Sequence, residues 1–139
     1  MNHDLGDALY GLATLIVRSV PRELSLTAAS TLAALERSGP QRITALAEAQ
    51  GITQPSMTSL VTRLEEAGLV RRQADPLDGR VVLVGLADGG AAYVAGRRRQ
   101  GRDFVLELLG RLPEDELAAL VAALPAIRRI SAATQEALA

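Results

Sequence analysis

Residues Gln54 to Arg63 hold a run of side chains able to make directional polar contacts. Gln54 offers a paired donor and acceptor. Ser56, Thr58, Ser59 and Thr62 offer hydroxyls, and Arg63 offers a planar fork of donors. Such groups recognise polar surfaces; they do not break bonds by themselves. The groups that do break bonds are scarce. The chain has no cysteine, and its one histidine, His3, lies in a segment expected to fray. That excludes Cys–His and Ser–His–Asp nucleophilic arrangements, disulfides, thiolate metal sites and thiol redox sensing. No glycine-rich phosphate loop of the P-loop type occurs. Glu65–Glu66 and Glu114–Asp115–Glu116 bring carboxylates together without an acid–base partner, so helix surface and helix N-terminal charge account for them. The reading is of a non-enzyme with no catalytic residue, no cofactor and no metal ligand.

The polar run has an apolar counterpart that must position it. Met57, Leu60, Val61 and Leu64 recur at i, i+3, i+4, i+7, which is one face of a helix. Thr53 is a good N-cap for it, Pro55 falls in its first turn, where a missing N–H costs little, and Gly68 closes it. Before it, Thr44 is expected to cap a short helix through Leu46 and Ala47 that ends at Gly51. Ala47, Gly51 and Met57 then stand at i, i+4, i+10. A small residue lets two helices cross closely, a glycine turns the chain, and an apolar residue locks the second helix. This is a helix-turn-helix, whose second helix can lie in a DNA major groove. In that setting Gln54, Pro55, Ser56, Ser59 and Arg63 face the groove or its phosphates, with Thr58 and Thr62 at the edge of the face. Glutamine can read adenine, serine can touch base or phosphate, and arginine can read guanine or hold a phosphate. The competing reading of Ser56, Ser59 and Thr62 is ordinary helix surface.

Beyond Gly68, Leu69 and Val70 begin a short strand and Val81 to Leu86 make another. Between them Asp75-Pro76-Leu77-Asp78-Gly79-Arg80 is dense in turn formers. A helix-turn-helix followed by such a hairpin is a winged helix. Arg80 sits at the wing, where a planar cation can enter a narrow, electronegative minor groove. Asp78 is expected to orient a wing arginine, Arg72 or Arg80, through a charge-assisted bond.

Gly68-Leu69-Val70-Arg71-Arg72, then Asp75-Pro76-x-Asp78-x-Arg80, then Val84-x-Leu86 resembles the MarR family of bacterial transcription regulators. The length and helix layout extend the resemblance over nearly the whole chain. It implies a homodimer, built through N- and C-terminal helices, that binds a pseudo-palindromic operator as a repressor. It also implies release of DNA by a small, often aromatic, anionic effector. The chain itself shows no ligand motif, and aromatic residues are only 2% of it, so stacking partners for such an effector are few. Two positions depart from the family pattern. Gly79 stands where a bulky charged residue is usual, and Ala87 where a threonine often caps the next helix; Asp88 can substitute for that cap.

The fold class expected is mainly α with a small β-hairpin wing: a winged helix-turn-helix at 27–86, an N-terminal dimerisation helix at 1–26, and C-terminal dimerisation helices at 87–139. At 139 residues and 48% apolar content the chain can bury an aliphatic core. Leu5, Leu9, Leu12, Ile16 and Val20 form a helical stripe stopped by Pro21, read either as core or as interface. Thr27 is expected to cap a helix carrying Ala28, Leu32 and Leu35 that ends at Gly39–Pro40. Ala87 to Leu112 reads as one long helix with five glycines, each costing about 1 kcal/mol against alanine, so it needs a packing partner. A last apolar run, Leu117 to Ile130, is expected to kink at Pro125. Arg97, Arg98, Arg99 and Arg102 read as a solvated face with an Arg99–Asp103 pair, or as phosphate or cross-dimer contacts. No run of 18 apolar residues and no leader is seen, so a cytoplasmic protein without membrane contact is expected.

Charge tempers the nucleic-acid reading. Net charge is −1, and residues 42 to 86 carry five arginines against five acids, so binding must rest on placement. All 15 basic residues are arginine, which suits forked contacts but also follows from codon composition. A protein-interaction or scaffolding module without DNA affinity is therefore the alternative reading.

Overall fold

Hydroxyls and turns set where the helices begin. In the computed structural model, which describes residues 2–137, the order is α1 (His3–Ser19), α2 (Leu26–Ser38), α3 (Ile43–Gln50), α4 (Gln54–Glu66), β1 (Val70–Ala74), β2 (Val82–Leu86), α5 (Asp88–Leu109), α6 (Glu114–Ala122) and α7 (Leu124–Ala137). Met1, Leu138 and Ala139, at the outer ends of the two flanking segments, lie outside the description. The expected class, helices with one two-stranded antiparallel wing, is what forms.

Two expected caps move. Ser25, not Thr27, caps α2, because its oxygen accepts the Ala28 amide at 3.2 Å; Thr27 lies within the helix. Thr44 caps nothing, since α3 begins at Ile43 behind Arg42 without a side-chain cap. The reason is the preceding residue. Gln41 is bridged to Val84 on both sides, at 2.9 and 2.7 Å, so the chain leaves the sheet and enters α3 at once. Gly51 then takes the left-handed conformation (φ 63°, ψ 32°) that ends α3, and the Ile52 amide bonds back to Ala47. Thr53 caps α4 as expected, accepting the Ser56 amide at 3.3 Å.

The chain divides into two compact units, residues 1–100 and 101–139. In the first, Leu32 and Leu35 of α2, Leu46 and Ala47 of α3, Met57, Leu60, Val61 and Leu64 of α4, Val70 of β1, Val84 of β2 and Val94 of α5 form one buried cluster. All four apolar positions anticipated for α4 are in it. The strands pair with Val70 opposite Leu86, Arg72 opposite Val84, and Ala74 opposite Val82. Val81 stays out of β2 because its amide turns back to the Asp78 carbonyl at 3.0 Å.

The glycines at the start of α5 are there for space. A Cβ on Gly90 would stand 2.0 Å from the Leu69 carbonyl oxygen, and one on Gly89 2.6 Å from that of Gly68. Asp88 sits inside the first turn of α5, where its charge suits the helix dipole. The core reading of the α1 stripe is not met: no residue of α1 is buried, and Leu5, Leu9 and Leu12 are 56%, 43% and 50% exposed. The core is closed by α2 to α5 and the hairpin, leaving α1 without a share in it. Val20, just past the helix end, is buried.

The second unit holds the end of α5, α6 and α7. Pro113 precedes α6, whose first turn carries Glu114, Asp115 and Glu116. Pro125 falls in the first turn of α7, and the two helices meet at a 49° bend, as Pro125 predicts. Neither helix has a buried residue. No single helix among the described residues is long and apolar enough to cross a membrane.

Candidate nucleic-acid interface

Burial of one face of α4 fixes the other. Met57 and Val61 are wholly buried, so the helix cannot roll. Gln54, Pro55, Ser56, Thr58, Ser59 and Arg63 are all exposed, as the spacing anticipates. Their hydrogen bonds divide them. The Thr58 hydroxyl donates to the Gln54 carbonyl at 2.9 Å, and the Thr62 hydroxyl to the Thr58 carbonyl at 3.0 Å. The Ser56 oxygen accepts the Thr53 hydroxyl at 2.9 Å. Among the described residues, the side chains of Gln54, Ser59 and Arg63 make no hydrogen bond within the chain, and so stay available for an external partner. Thr62 is half-buried and turned toward β1, where its oxygen accepts Nη2 of Arg72 at 3.1 Å.

The wing resolves the choice left open for Asp78. Its carboxylate takes Nε of Arg80 at 3.1 Å, Nη2 at 3.4 Å and the Arg80 amide at 3.1 Å. The Arg80 side-chain bond, then its amide, and a weaker pull from Arg42 hold the Asp78 carboxyl below its ordinary value against a small opposing effect of burial. Arg80 remains 92% exposed, so the pair aims a cation outward. Asp75 accepts the Leu77 amide at 2.8 Å and shapes the same turn. Arg72 belongs elsewhere: it is bound to both oxygens of Glu65. Sequence reasoning missed that tie, because Glu65 read as helix surface. It also left Arg71 unassigned, an exposed residue that reaches Gln73 Oε1 at 3.4 Å.

The arginine cluster of α5 is distributed differently from the expected Arg99–Asp103 pair. Asp103 takes Arg102, its chain neighbour, at 3.4 Å. Arg98 bonds Glu36 of α2 at 2.7 Å, and Arg97 donates to the Pro21 carbonyl at 3.4 Å. Beside Arg97 and Tyr93 lie two open hollows of about 170 and 210 Å³, both smaller than the roughly 300 Å³ of typical small-molecule sites. Among the described residues, no group of His, Asp or Glu could hold a metal ion.

A helix-turn-helix with a solvent-facing polar second helix, flanked by an arginine-tipped hairpin, defines a winged helix-turn-helix protein. The chain belongs to the MarR family of transcriptional regulators. The MarR family model matches residues 24–82. An uncharacterised HTH-type transcriptional regulator of Mycobacterium leprae is 35% identical over 114 residues, covering 81% of this chain and 80% of that protein. The fold matches that of a transcriptional regulator from Thermotoga maritima at a TM-score of 0.84 and 18% identity, over 97% of this chain and 99% of the other. It also matches a mutant of MepR from S. aureus bound to an oligodeoxyribonucleotide, at a TM-score of 0.70 and 18% identity over 93% and 97%.

Proposed function

We propose that this regulator is a sequence-specific reader of double-stranded DNA, acting in the cytoplasm as a homodimer and repressor on a pseudo-palindromic operator. In this reading α4 enters the major groove, with Gln54, Ser59 and Arg63 at base edges and Pro55, Ser56 and Thr58 along the phosphates. Arg80, aimed by Asp78, enters the adjacent minor groove. The observation that carries the proposal is the free state of Gln54, Ser59 and Arg63 on a helix whose opposite side is locked into the core. The oligodeoxyribonucleotide on the S. aureus relative supports the same use of the fold.

The segments 1–26 and 87–139 are assigned to dimerisation. Support comes from apolar side chains left largely exposed among the described residues: Leu5, Leu9 and Leu12 on α1, and Leu120, Leu124 and Ile127 on α6 and α7. Two copies then place two α4 helices about one turn of duplex apart. The family resemblance adds release by a small anionic effector.

The balance of five arginines and five acids over residues 42 to 86 favours the second reading, a protein-interaction module. One experiment separates them. Duplexes selected from a random pool by the purified protein are titrated against scrambled duplex at several salt concentrations. A DNA reader loses affinity steeply with salt, with a log–log slope near −0.9 per phosphate neutralised. Arg80→Ala should weaken binding to both duplexes. Gln54→Ala and Arg63→Ala should also change preference, by about 1–3 kcal/mol per base contact. Equal, salt-insensitive binding of wild type and variants to both duplexes overturns the DNA assignment.

A further inference from the structure

Recognition helix and wing must meet one duplex together, yet they are separate elements joined through Ala67, Gly68 and Leu69. The hydrogen bonds at the tip of the wing stay within the hairpin: the Asp75 amide bonds Val81 at 2.9 Å, the Val81 amide bonds Asp78, and the Asp75 and Asp78 carboxylates hold Leu77 and Arg80. A two-stranded ribbon of this kind twists easily unless its base is fixed.

Its base is fixed by a closed ring of polar contacts. Nη1 of Arg72 donates to Oε2 of Glu65, the Arg72 amide donates to Oε1 of the same carboxylate at 3.2 Å, and Nη2 donates to the Thr62 oxygen at 3.1 Å. The Thr62 hydroxyl donates a hydrogen bond to the Thr58 carbonyl at 3.0 Å, which ties this side chain back onto α4. On its other side Arg72 faces Val84, which is wholly buried and bridged to Gln41. Of the five arginines between residues 42 and 86, this is the one whose side-chain hydrogen bonds join two elements. The Arg72 and Glu65 side chains are 31% and 38% exposed, so solvent screens the pair only in part.

We propose that Arg72, Glu65 and Thr62 are positioning residues for DNA recognition. Their ring holds the hairpin at a set angle to α4, so that Arg80 reaches the duplex at the same moment as Gln54 and Arg63. The inference rests on the DNA-reading function proposed above. It moves Thr62 from contact to frame: its hydroxyl and lone pair are already engaged within the chain. A wing ordered in advance loses less freedom on binding, and its contact counts in full.

The test is whether the effect of Arg80 depends on the ring. Arg72→Lys keeps the charge but puts one ammonium where a fork spanned two partners; Thr62→Val removes one acceptor at constant shape. Thermal unfolding confirms that each variant folds. With a selected duplex as probe, Arg80→Ala should weaken wild-type binding about tenfold, as loss of one such contact does. In either ring variant it should weaken binding less than about threefold, because a loose wing contributes little to begin with. Arg63→Ala should cost the same factor in all backgrounds, which a general loss of stability does not produce. An equal cost of Arg80→Ala in every background overturns this inference and leaves the DNA function standing. Hydrogen exchange in the free protein adds a readout that needs no DNA. Arg72→Lys should speed exchange of the Asp75 and Val81 amides and spare those of α4; unchanged wing amides overturn the inference, and absence of wild-type binding to any duplex separately overturns the function.

Discussion

Asp78 shows how one residue can do its work without being buried. Its carboxylate holds Arg80 by two side-chain bonds and one amide bond, and these lower its pKa below the usual 3.8. The sign follows from linkage. A depressed carboxyl contributes order that is fully present above its unfolded value and is lost only as the pH falls through the folded one. The Asp78–Arg80 pair should therefore be constant from about pH 8 down to about pH 5. Carboxyl carbon chemical shifts, read by NMR across a titration to acid, should place the Asp78 midpoint below that of an aspartate in an unstructured peptide. A midpoint at or above that reference contradicts the pairing. The sequence already indicated that Asp78 would hold an arginine, but not which one, because Arg72 and Arg80 are both within reach along the wing. The choice is made by Glu65, which stands on α4 and captures Arg72 first.

At the scale of the element, α5 carries glycines with opposite roles. Helix propensity favours alanine over glycine at every interior position by about 1 kcal/mol. At Gly90 packing reverses this, since the added Cβ would lie 2.0 Å from the backbone oxygen of Leu69, just before the hairpin's first strand. Gly90→Ala should destabilise the fold by about 1–3 kcal/mol, the usual cost of overpacking. Gly96, whose nearest neighbour is the end of the Arg99 side chain at 3.8 Å, has room. Gly96→Ala should stabilise by about 0.5–1 kcal/mol. Urea unfolding of both variants checks the contrast, and a shift of the same sign in both would refute it. Sequence periodicity revealed where α5 runs but counted each glycine as a cost. The difference between Gly90 and Gly96 lies in what approaches from outside the helix.

For the whole molecule, the apolar surface left over is the informative quantity. Leu12 is 50% exposed on α1 and Ile127 41% exposed on α7. Burying side chains of this size stabilises by roughly 1.5–3 kcal/mol each when fully withdrawn from water. Sedimentation equilibrium at micromolar concentration should therefore give the mass of two chains. Leu12→Glu and Ile127→Glu should each shift it toward one chain and lower affinity for a selected two-site duplex by about 100-fold, through loss of the second linked contact. A wild type that sediments as one chain, or variants that remain paired, would end the homodimer proposal.

What the residues determined alone was everything with a short period. The apolar stripe of α4, its Thr53 cap, the left-handed turn at Gly51, the break before Pro125 and the turn at residues 75–80 all follow from neighbours a few positions apart. The wing pattern beside them made the winged helix legible. Tertiary structure decided the matters that depend on distant partners. It started α3 at Ile43 because Gln41 is bridged to Val84, it left the α1 stripe outside the core, and it withdrew Arg72 and Thr62 into a contact between helix and strand. Those outcomes turn on which groups meet across the fold, and spacing along a chain carries no record of that.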